Sequence, residues 1–229
     1  MIKCFIFDFG QVLGIFDIPK RYKFIEKYRG NCLDPRDLSY ESLRTLGKRF
    51  DLGEIDKTTY YSQIRLAYKM SIPTERDFYE MFTKGILSID REMLGIINWL
   101  RQRGVITVLI SNMNLVHFEF ISEVYPEVFE SFDHMMISCK EGIIKPDLRA
   151  WTIPVHSLGF KMNECVFVDD LITNIEAACQ LGIIGWYYNV SDEHLCLNGK
   201  LEQERVKLKN FLILLNNLGL LFDKNKTRT

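Results

Sequence analysis

The sequence predicts an α/β protein with an open, mostly parallel sheet. Three short and almost continuously apolar runs support this prediction, and each ends at a polar residue: Cys4–Phe7, residues 105–110 and residues 165–168. They are rich in β-branched and aromatic residues, as strands are when helices cover both faces of a parallel sheet. Longer segments with helical periodicity separate them. This alternation favours right-handed βαβ units, and therefore a Rossmann-like, doubly wound parallel sheet.

Weaker signals add two strands, at residues 135–137 and 183–188. Helices are predicted at residues 90–103 and 172–181, where apolar side chains recur every three or four positions and a glycine follows to end the helix. Doubly wound sheets bind ligands at the carboxyl ends of their strands. The polar residues at those ends are therefore candidate site residues.

The segment after the first strand differs from the rest of the chain. Residues 18–86 contain no convincing strand and carry apolar side chains at helical spacing. We therefore predict a Rossmann-like core formed by residues 1–17 and 87–229. The inserted residues 18–86 are predicted to form an all-helical cap that stands over the active edge of the sheet.

Composition argues against several classes of partner. With 229 residues and a formal net charge of -1, the chain has no global field that would attract nucleic acid or anionic lipid. No stretch approaches the roughly 20 apolar residues that cross a bilayer. The six scattered cysteines suit a reducing compartment. We expect a cytoplasmic protein with no nucleic-acid or membrane partner.

Residues 200–218 carry a leucine-rich helical stripe. The pattern predicts a helix that packs on the core or on a second subunit, so a homodimer is one arrangement it allows. A membrane-surface helix is the alternative, although the polar face lacks an excess of basic residues.

The first motif with catalytic potential is Asp8, which ends a strand and is followed two positions later by Gly10. A carboxylate placed there can attack phosphorus, and the glycine frees the backbone N–H and C=O groups around it. A phosphate repels a carboxylate, so a cation must lie close by. A polar residue that merely ends a strand is the alternative interpretation.

Two further motifs supply groups for an anion. Ser111 and Asn112 follow another strand, where a hydroxyl and backbone N–H groups could hold phosphate oxygens; a helix N-cap is the alternative for Ser111. Lys145 precedes Pro146, which we predict to be the first residue of a helix. An ammonium group at such a junction would neutralise nucleophile and phosphate together, whereas a lone lysine is usually a solvated surface charge.

The strongest motif is the pair Asp169 and Asp170, directly after a predicted buried strand. Two adjacent carboxylates in that position repel each other unless a counter-charge is present. A hard cation relieves the repulsion, and a shell made mostly of oxygen and water indicates Mg²⁺.

In this order, the motifs resemble those of the haloacid dehalogenase superfamily of hydrolases, over residues 3 to about 188. Three segments are similar to the branch that contains bacterial α-D-glucose-1-phosphate phosphatase: residues 111–117, 145–147 and 169–178. The helical insert is similar to the C1 cap of that superfamily.

The resemblance implies how the site would act on a phosphate ester. Asp8 would be the nucleophile and would form a phospho-aspartyl intermediate. Ser111 and Asn112 would bind the transferring phosphoryl group, and Lys145 would brace that group against Asp8.

The resemblance also implies a metal site. Mg²⁺ would be held by Asp8, by the carbonyl group of Gly10 and by Asp170. Asp169 would be either a direct ligand or an indirect support, and Asn174 would orient these carboxylates or a bound water.

The chain departs from the superfamily pattern at Gly10. Most phosphatases of the superfamily carry there a second aspartate that protonates the leaving oxygen, although members of the resembling branch share the glycine. Loss of a general acid typically costs about 10²–10⁴-fold in rate. We therefore expect a preference for good leaving groups, such as those of sugar 1-phosphates. Asp17 or a water molecule could replace the acid.

These observations predict a Mg²⁺-dependent phosphatase acting on a small phosphorylated metabolite, such as a sugar phosphate. Two alternatives stay open. A metal-independent 2-haloacid dehalogenase would use the same aspartate and lysine, but would gain nothing from the repulsion between Asp169 and Asp170. A ligand-binding or regulatory protein that has lost turnover is the other alternative, because of Gly10.

Overall fold

The computed structural model describes residues 1–16, 28, 40–67, 71, 74–190 and 197–222. A five-stranded sheet with the order β5-β4-β1-β6-β7 forms its centre, and every neighbouring pair in it is parallel. A two-stranded antiparallel ladder joins β2 to β3. The strands in these residues are β1 Cys4–Phe7, β2 Gly14–Phe16, β3 Ile86–Ile89, β4 Ile106–Ser111, β5 His134–Ile137, β6 Cys165–Asp169 and β7 Ile184–Tyr187.

Helices connect the strands. In the same described residues they are α1 Tyr40–Asp51, α2 Lys57–Ala67, α3 Glu75–Lys84, α4 Arg91–Gln102, α5 Leu115–Val124, α6 Pro126–Glu130, α7 Ser138–Glu141, α8 Arg149–Ser157, α9 Ile172–Gln180 and α10 Leu197–Asn217, with a 3₁₀ turn at Met162–Glu164. None of the helices in this part of the chain has the length and hydropathy that crossing a membrane requires.

The two faces of the sheet have separate apolar cores. Successive residues of β1 alternate between them: Phe5 and Phe7 belong to one core, Cys4 and Ile6 to the other. Side chains of α4 and α10 pack in the first core, and side chains of α8 and α9 pack in the second. Because period-two alternation places neighbouring side chains on opposite faces, strands buried on both sides must be apolar throughout. The predicted doubly wound parallel sheet is confirmed.

The register of the central strands aligns their carboxyl ends. Phe7 of β1 pairs with Leu109 of β4 on one side and with Val168 of β6 on the other. The residues that follow these three strands therefore meet at one edge of the sheet.

Helices α1, α2 and α3 pack around their own aromatic cluster. The rings of Phe50 and Tyr60 stack with centroids 4.3 Å apart, and Phe78 contacts both Tyr60 and Tyr61. Tyr60 and Tyr61 are thus core residues of this helical unit. The predicted domain boundaries at 17/18 and 86/87 stay a prediction.

Polar contacts tie the helical unit to the sheet domain. Ser138 donates a hydrogen bond to the backbone carbonyl of Asp51 at 2.6 Å, and Lys57 pairs with Glu119 at 2.8 Å. The end of α1 therefore lies directly beside the start of α7.

Two features differ from the sequence-based expectations. Strands β2 and β3 were not predicted, because both are short and each includes a residue that weakens the apolar run, Gly14 in β2 and Ser88 in β3. Pro146 does not begin a helix: its peptide bond with Lys145 is cis, Asp147 N–H closes a turn on the Ile144 carbonyl, and α8 begins only at Arg149.

Helix α10 packs on the core rather than standing apart. Leu208 and Leu215 are buried, whereas Leu218 of the predicted stripe lies beyond the helix end and is 61% exposed. Arg205 also forms an ion pair at 2.6 Å with Asp90, the N-cap residue of α4.

Removing a buried side chain of α10 is therefore expected to destabilise the protein. Leu208→Ala should lower the free energy of unfolding by about 2–5 kcal/mol, since Leu208 is fully buried and a cavity would remain. Leu214→Ala is the matched control on the same helix, because Leu214 is 54% exposed and should change stability by less than about 0.5 kcal/mol. Urea unfolding followed by circular dichroism measures both, and equal effects would contradict this packing.

Candidate active site

A cavity of about 220 Å³ opens at the carboxyl edge of the sheet. It brings together residues at the carboxyl ends of β1, β4 and β6 with Lys145 from the turn at residues 145–148. In the described part of the chain it is lined by Asp8, Phe9, Gly10, Gln11, Phe16, Ser111, Asn112, Met113, His117, Lys145, Asp170, Leu171 and Asn174. The structure thus places six of the seven predicted site residues on one cavity wall, and the seventh, Asp169, lies directly behind it.

Lys145 forms the electrostatic centre of the site. Its Nζ lies 2.7 Å from Asp8 Oδ1 and 2.7 Å from Asp169 Oδ2. The lysine side chain is 1% exposed, so the alternative of a solvated surface lysine does not apply. Breaking such a buried pair would leave an uncompensated charge in a dry environment.

Both carboxylate oxygens of Asp169 already accept hydrogen bonds from other groups of the protein. Besides Lys145, it accepts hydrogen bonds from Asn174 Nδ2 at 3.1 and 3.0 Å and from the backbone N–H of Leu171 at 2.7 Å. Asn174 therefore orients this carboxylate towards the lysine. Asp170, by contrast, borders the cavity and makes no ion pair with the lysine.

Burial shifts the pKa of both carboxyl groups that face the cavity. It raises the pKa of Asp8 from its ordinary 3.8 to about 6, with Lys145 opposing the rise and Asp169 adding to it. It raises the pKa of Asp170 to about 7, with the negative charges of Asp8 and Asp169 adding to it. Burial alone would lower the pKa of Lys145, but the two carboxylates beside it raise that pKa above its ordinary value.

The charges of the cluster do not balance. One carboxylate oxygen from each of Asp8, Asp169 and Asp170 lies within 4.8 Å of the others, and one ammonium group neutralises only part of their charge. Burial is the main cause of the raised pKa values of Asp8 and Asp170, and the neighbouring carboxylates add to it. An all-oxygen donor set of this charge fits a hard divalent cation.

Asn112 stabilises the loop that carries the lysine. Its amide group donates to the Lys145 carbonyl at 3.0 Å and accepts from the Lys145 N–H at 2.8 Å. Its predicted contact with phosphate stays a prediction. Ser111 is 4% exposed on the cavity wall, and its hydroxyl makes no hydrogen bond within the described residues.

Several cavity residues were not predicted from the sequence. Gln11 adopts a left-handed backbone with φ 55°, and its side chain accepts a hydrogen bond from the Phe16 N–H at 3.3 Å. The chain folds back between Gln11 and Phe16, which brings the Phe16 ring to the cavity. A glutamine in a left-handed conformation has no sequence signal, since that region favours glycine and asparagine.

His117 also lines the cavity, although it was not selected as a site residue from the sequence because it has no metal-ligand spacing. It lies in the first turn of α5, where the N-cap residue Asn114 accepts a hydrogen bond from its N–H at 3.1 Å. The Asn114 amide nitrogen lies 3.3 Å from His117 Nδ1 and 3.3 Å from Asp51 Oδ1.

Gly10 leaves space beside Asp8. A Cβ atom built there would lie 3.8 Å from Asp8 Oδ2 and 3.9 Å from the Phe16 ring. The missing acidic side chain would therefore have occupied the cavity itself. Asp17, the predicted substitute, lies outside the described residues.

The raised pKa of Asp170 predicts a pH-dependent stability in metal-free protein. The pKa of Asp170 is higher in the folded state than the ordinary 3.8. The contribution of Asp170 to the free energy of unfolding is therefore fully present below about pH 4 and is lost as the pH rises to about 7. Asp170→Asn removes the charge, so it should increase the free energy of unfolding at pH 8 by about 1–3 kcal/mol but have little effect near pH 4. Urea unfolding in chelator at several pH values tests this.

The matched control is Asp56→Asn, because Asp56 is exposed and a backbone hydrogen bond from Thr59 lowers its pKa. The effect of this control should not change between pH 5 and pH 8. A flat profile for Asp170→Asn over the same range would contradict the raised pKa.

Comparison with known proteins agrees with this geometry. The family model of haloacid dehalogenase-like hydrolases matches residues 2–182. The sesquiterpene phosphatase astK of Aspergillus oryzae is 26% identical over 189 residues, covering 80% of this chain and 88% of that protein. Bifunctional epoxide hydrolase 2 of Rattus norvegicus is 29% identical over 119 residues, covering 50% of this chain. The chain spans 22% of that relative's length.

Solved structures show the same fold. A HAD family enzyme of Bacteroides thetaiotaomicron, in complex with magnesium and inorganic phosphate, matches with a TM-score of 0.71 at 19% identity, covering 86% of this chain and 100% of that one. The finer resemblance to the glucose-1-phosphate phosphatase branch stays a prediction. The family model spans most of the chain, including every residue of the charged cluster, so the protein belongs to the haloacid dehalogenase-like hydrolase family.

Proposed function

We propose that this hydrolase is a Mg²⁺-dependent phosphatase that acts on a small phosphorylated metabolite through a phospho-aspartyl intermediate on Asp8. One observation carries the proposal: Lys145 holds Asp8 and Asp169 at 2.7 Å each, while Asp170 adds a further carboxylate at the same cavity. This arrangement supports the proposal because it would give a nucleophile at Asp8 a cationic neighbour and an unbalanced negative charge.

Asp8 is the group that would attack phosphorus. In the first step a carboxylate oxygen of Asp8 forms a bond to phosphorus, and the bond from phosphorus to the ester oxygen breaks. A water molecule then attacks phosphorus in the acyl phosphate, which releases inorganic phosphate and restores the Asp8 carboxylate. Lys145, beside Asp8, would offset the electrostatic repulsion between the phosphate and the carboxylate.

Ser111 and Lys145 would hold the phosphoryl oxygens. Ser111 ends β4, Asp8 directly follows the neighbouring strand β1, and both residues line the cavity. Asn112 would act through the two hydrogen bonds that fix the Lys145 backbone, in addition to its predicted contact with phosphate.

The metal would be held by Asp8, Asp170 and the carbonyl group of Gly10. Asp169 is better suited to an indirect role, because Lys145, Asn174 and a backbone N–H already occupy its oxygens. When bound, Mg²⁺ would neutralise the carboxylates and draw charge from the phosphoryl oxygens.

The relatives support the phosphatase class. The sesquiterpene phosphatase of Aspergillus oryzae is similar over most of its length, and the Bacteroides enzyme carries magnesium and phosphate. The expected sugar phosphate substrate stays a prediction, as do the cytoplasmic location and the homodimer.

A substrate panel should include sugar 1-phosphates, sugar 6-phosphates and prenyl phosphates. Much faster hydrolysis of sugar 6-phosphates than of sugar 1-phosphates would overturn the expected preference for good leaving groups.

Replacing the nucleophile is the direct test of the reaction class. Asp8→Asn should reduce phosphate release by at least about 10³-fold while the protein remains folded, because the amide cannot form the intermediate. Asp56→Asn is the matched control at an exposed aspartate that does not line the cavity, and it should keep wild-type turnover. Undiminished turnover in Asp8→Asn would contradict the role of Asp8.

Metal removal separates a phosphatase from a dehalogenase. Chelator should stop phosphate release, and added Mg²⁺ should restore it, since the carboxylate cluster needs a cation. Halide release from a 2-haloacid, measured in the same chelator, should be absent. Halide release that survives chelation would favour the dehalogenase instead.

A further inference from the structure

We infer that His117 is a catalytic residue that donates a hydrogen bond from Nε2 to the leaving oxygen of the substrate, in the space that Gly10 opens. The inference rests on the proposed phosphatase function. It explains how the site compensates for the missing acidic side chain, and it gives a role to a residue that no metal-ligand pattern would select.

The position of the ring is the first argument. A Cβ atom at residue 10 would lie 3.8 Å from Asp8 Oδ2 and 3.9 Å from the Phe16 ring. The Phe16 ring in turn contacts the imidazole of His117, with centroids 5.7 Å apart. Gly10 and the imidazole thus line the same cavity, and the Phe16 ring is a neighbour of both.

The tautomer of the ring is the second argument. Asn114 Oδ1 accepts from the His117 N–H, and Asn114 Nδ2 faces Asp51 Oδ1, so both contacts give the amide the same orientation. The amide nitrogen then donates to His117 Nδ1. Because Nδ1 is an acceptor, the ring carries its proton on Nε2.

This tautomer determines what the imidazole can do. When Asp8 attacks phosphorus, the leaving oxygen takes the electron pair of the broken P–O bond. The Nε2–H group stabilises that developing charge by a hydrogen bond but keeps its proton, because losing it would leave an anionic ring. Water in the cavity supplies the proton to the leaving oxygen. The contribution of His117 is therefore electrostatic, and it grows as the leaving group becomes more basic.

Comparing an alkyl and an aryl phosphate tests the inference. A primary alkyl phosphate has a basic leaving oxygen, whereas the nitrophenolate of p-nitrophenyl phosphate is stable without help. His117→Leu should lower kcat/KM for butyl phosphate by about 10²-fold and for p-nitrophenyl phosphate by much less. His117→Gln offers an N–H donor and should recover part of the alkyl activity. His156→Leu, at an exposed histidine of α8, is the matched control.

The outcomes separate this inference from the proposed function. A selective loss on butyl phosphate with partial recovery in His117→Gln supports it. Equal losses on both substrates would mean a structural role only and would overturn it, as would no loss on either. If wild-type protein with Mg²⁺ released no phosphate from any ester, the proposed function itself would fail. Thermal unfolding of each variant confirms that the comparison is between folded proteins.

Discussion

One buried ammonium group holds the active edge of this protein together. Moving an ion out of water costs several kcal/mol, and the cost is recovered only where good partners surround it. Lys145 has two such partners, Asp8 and Asp169, each at 2.7 Å. Asp170 adds a carboxylate that this lysine does not pair. The incomplete balance is what distinguishes a reactive site from a structural ion pair, because the remaining negative charge favours a bound cation.

The part of the site that depends on strand order could be predicted from the sequence. Strands buried on both faces are apolar throughout, so Asp8, Ser111 and Asp169 stand out where such runs end. Parallel pairing then aligns these ends at one edge, because β1 lies between β4 and β6. The fold and the meeting of the charged residues both follow from this periodicity. No knowledge of side-chain contacts is needed.

The part that depends on contacts between distant side chains could not be predicted. The bonds from Asn112 to the Lys145 backbone span 33 residues, and no local pattern encodes them. Pro146 was expected to begin a helix from a general preference, but the turn closed by Asp147 takes its place. His117 was not selected because it has no metal-ligand spacing, and its place on the cavity follows from the first turn of α5 and its contact with the Phe16 ring.

Asn114 links the helical unit to the chemistry of the sheet edge. Its side chain caps α5, orients the imidazole of His117 and contacts Asp51 at the end of α1. Ser138 contacts the same end of α1 through the Asp51 carbonyl and also accepts from the Met113 N–H at 2.9 Å. The loop after β4 is therefore held from both sides. A displacement of α1 would disturb the amide that sets the proton on His117, so the placement of the helical unit and the electrostatics at the leaving group are coupled through one residue.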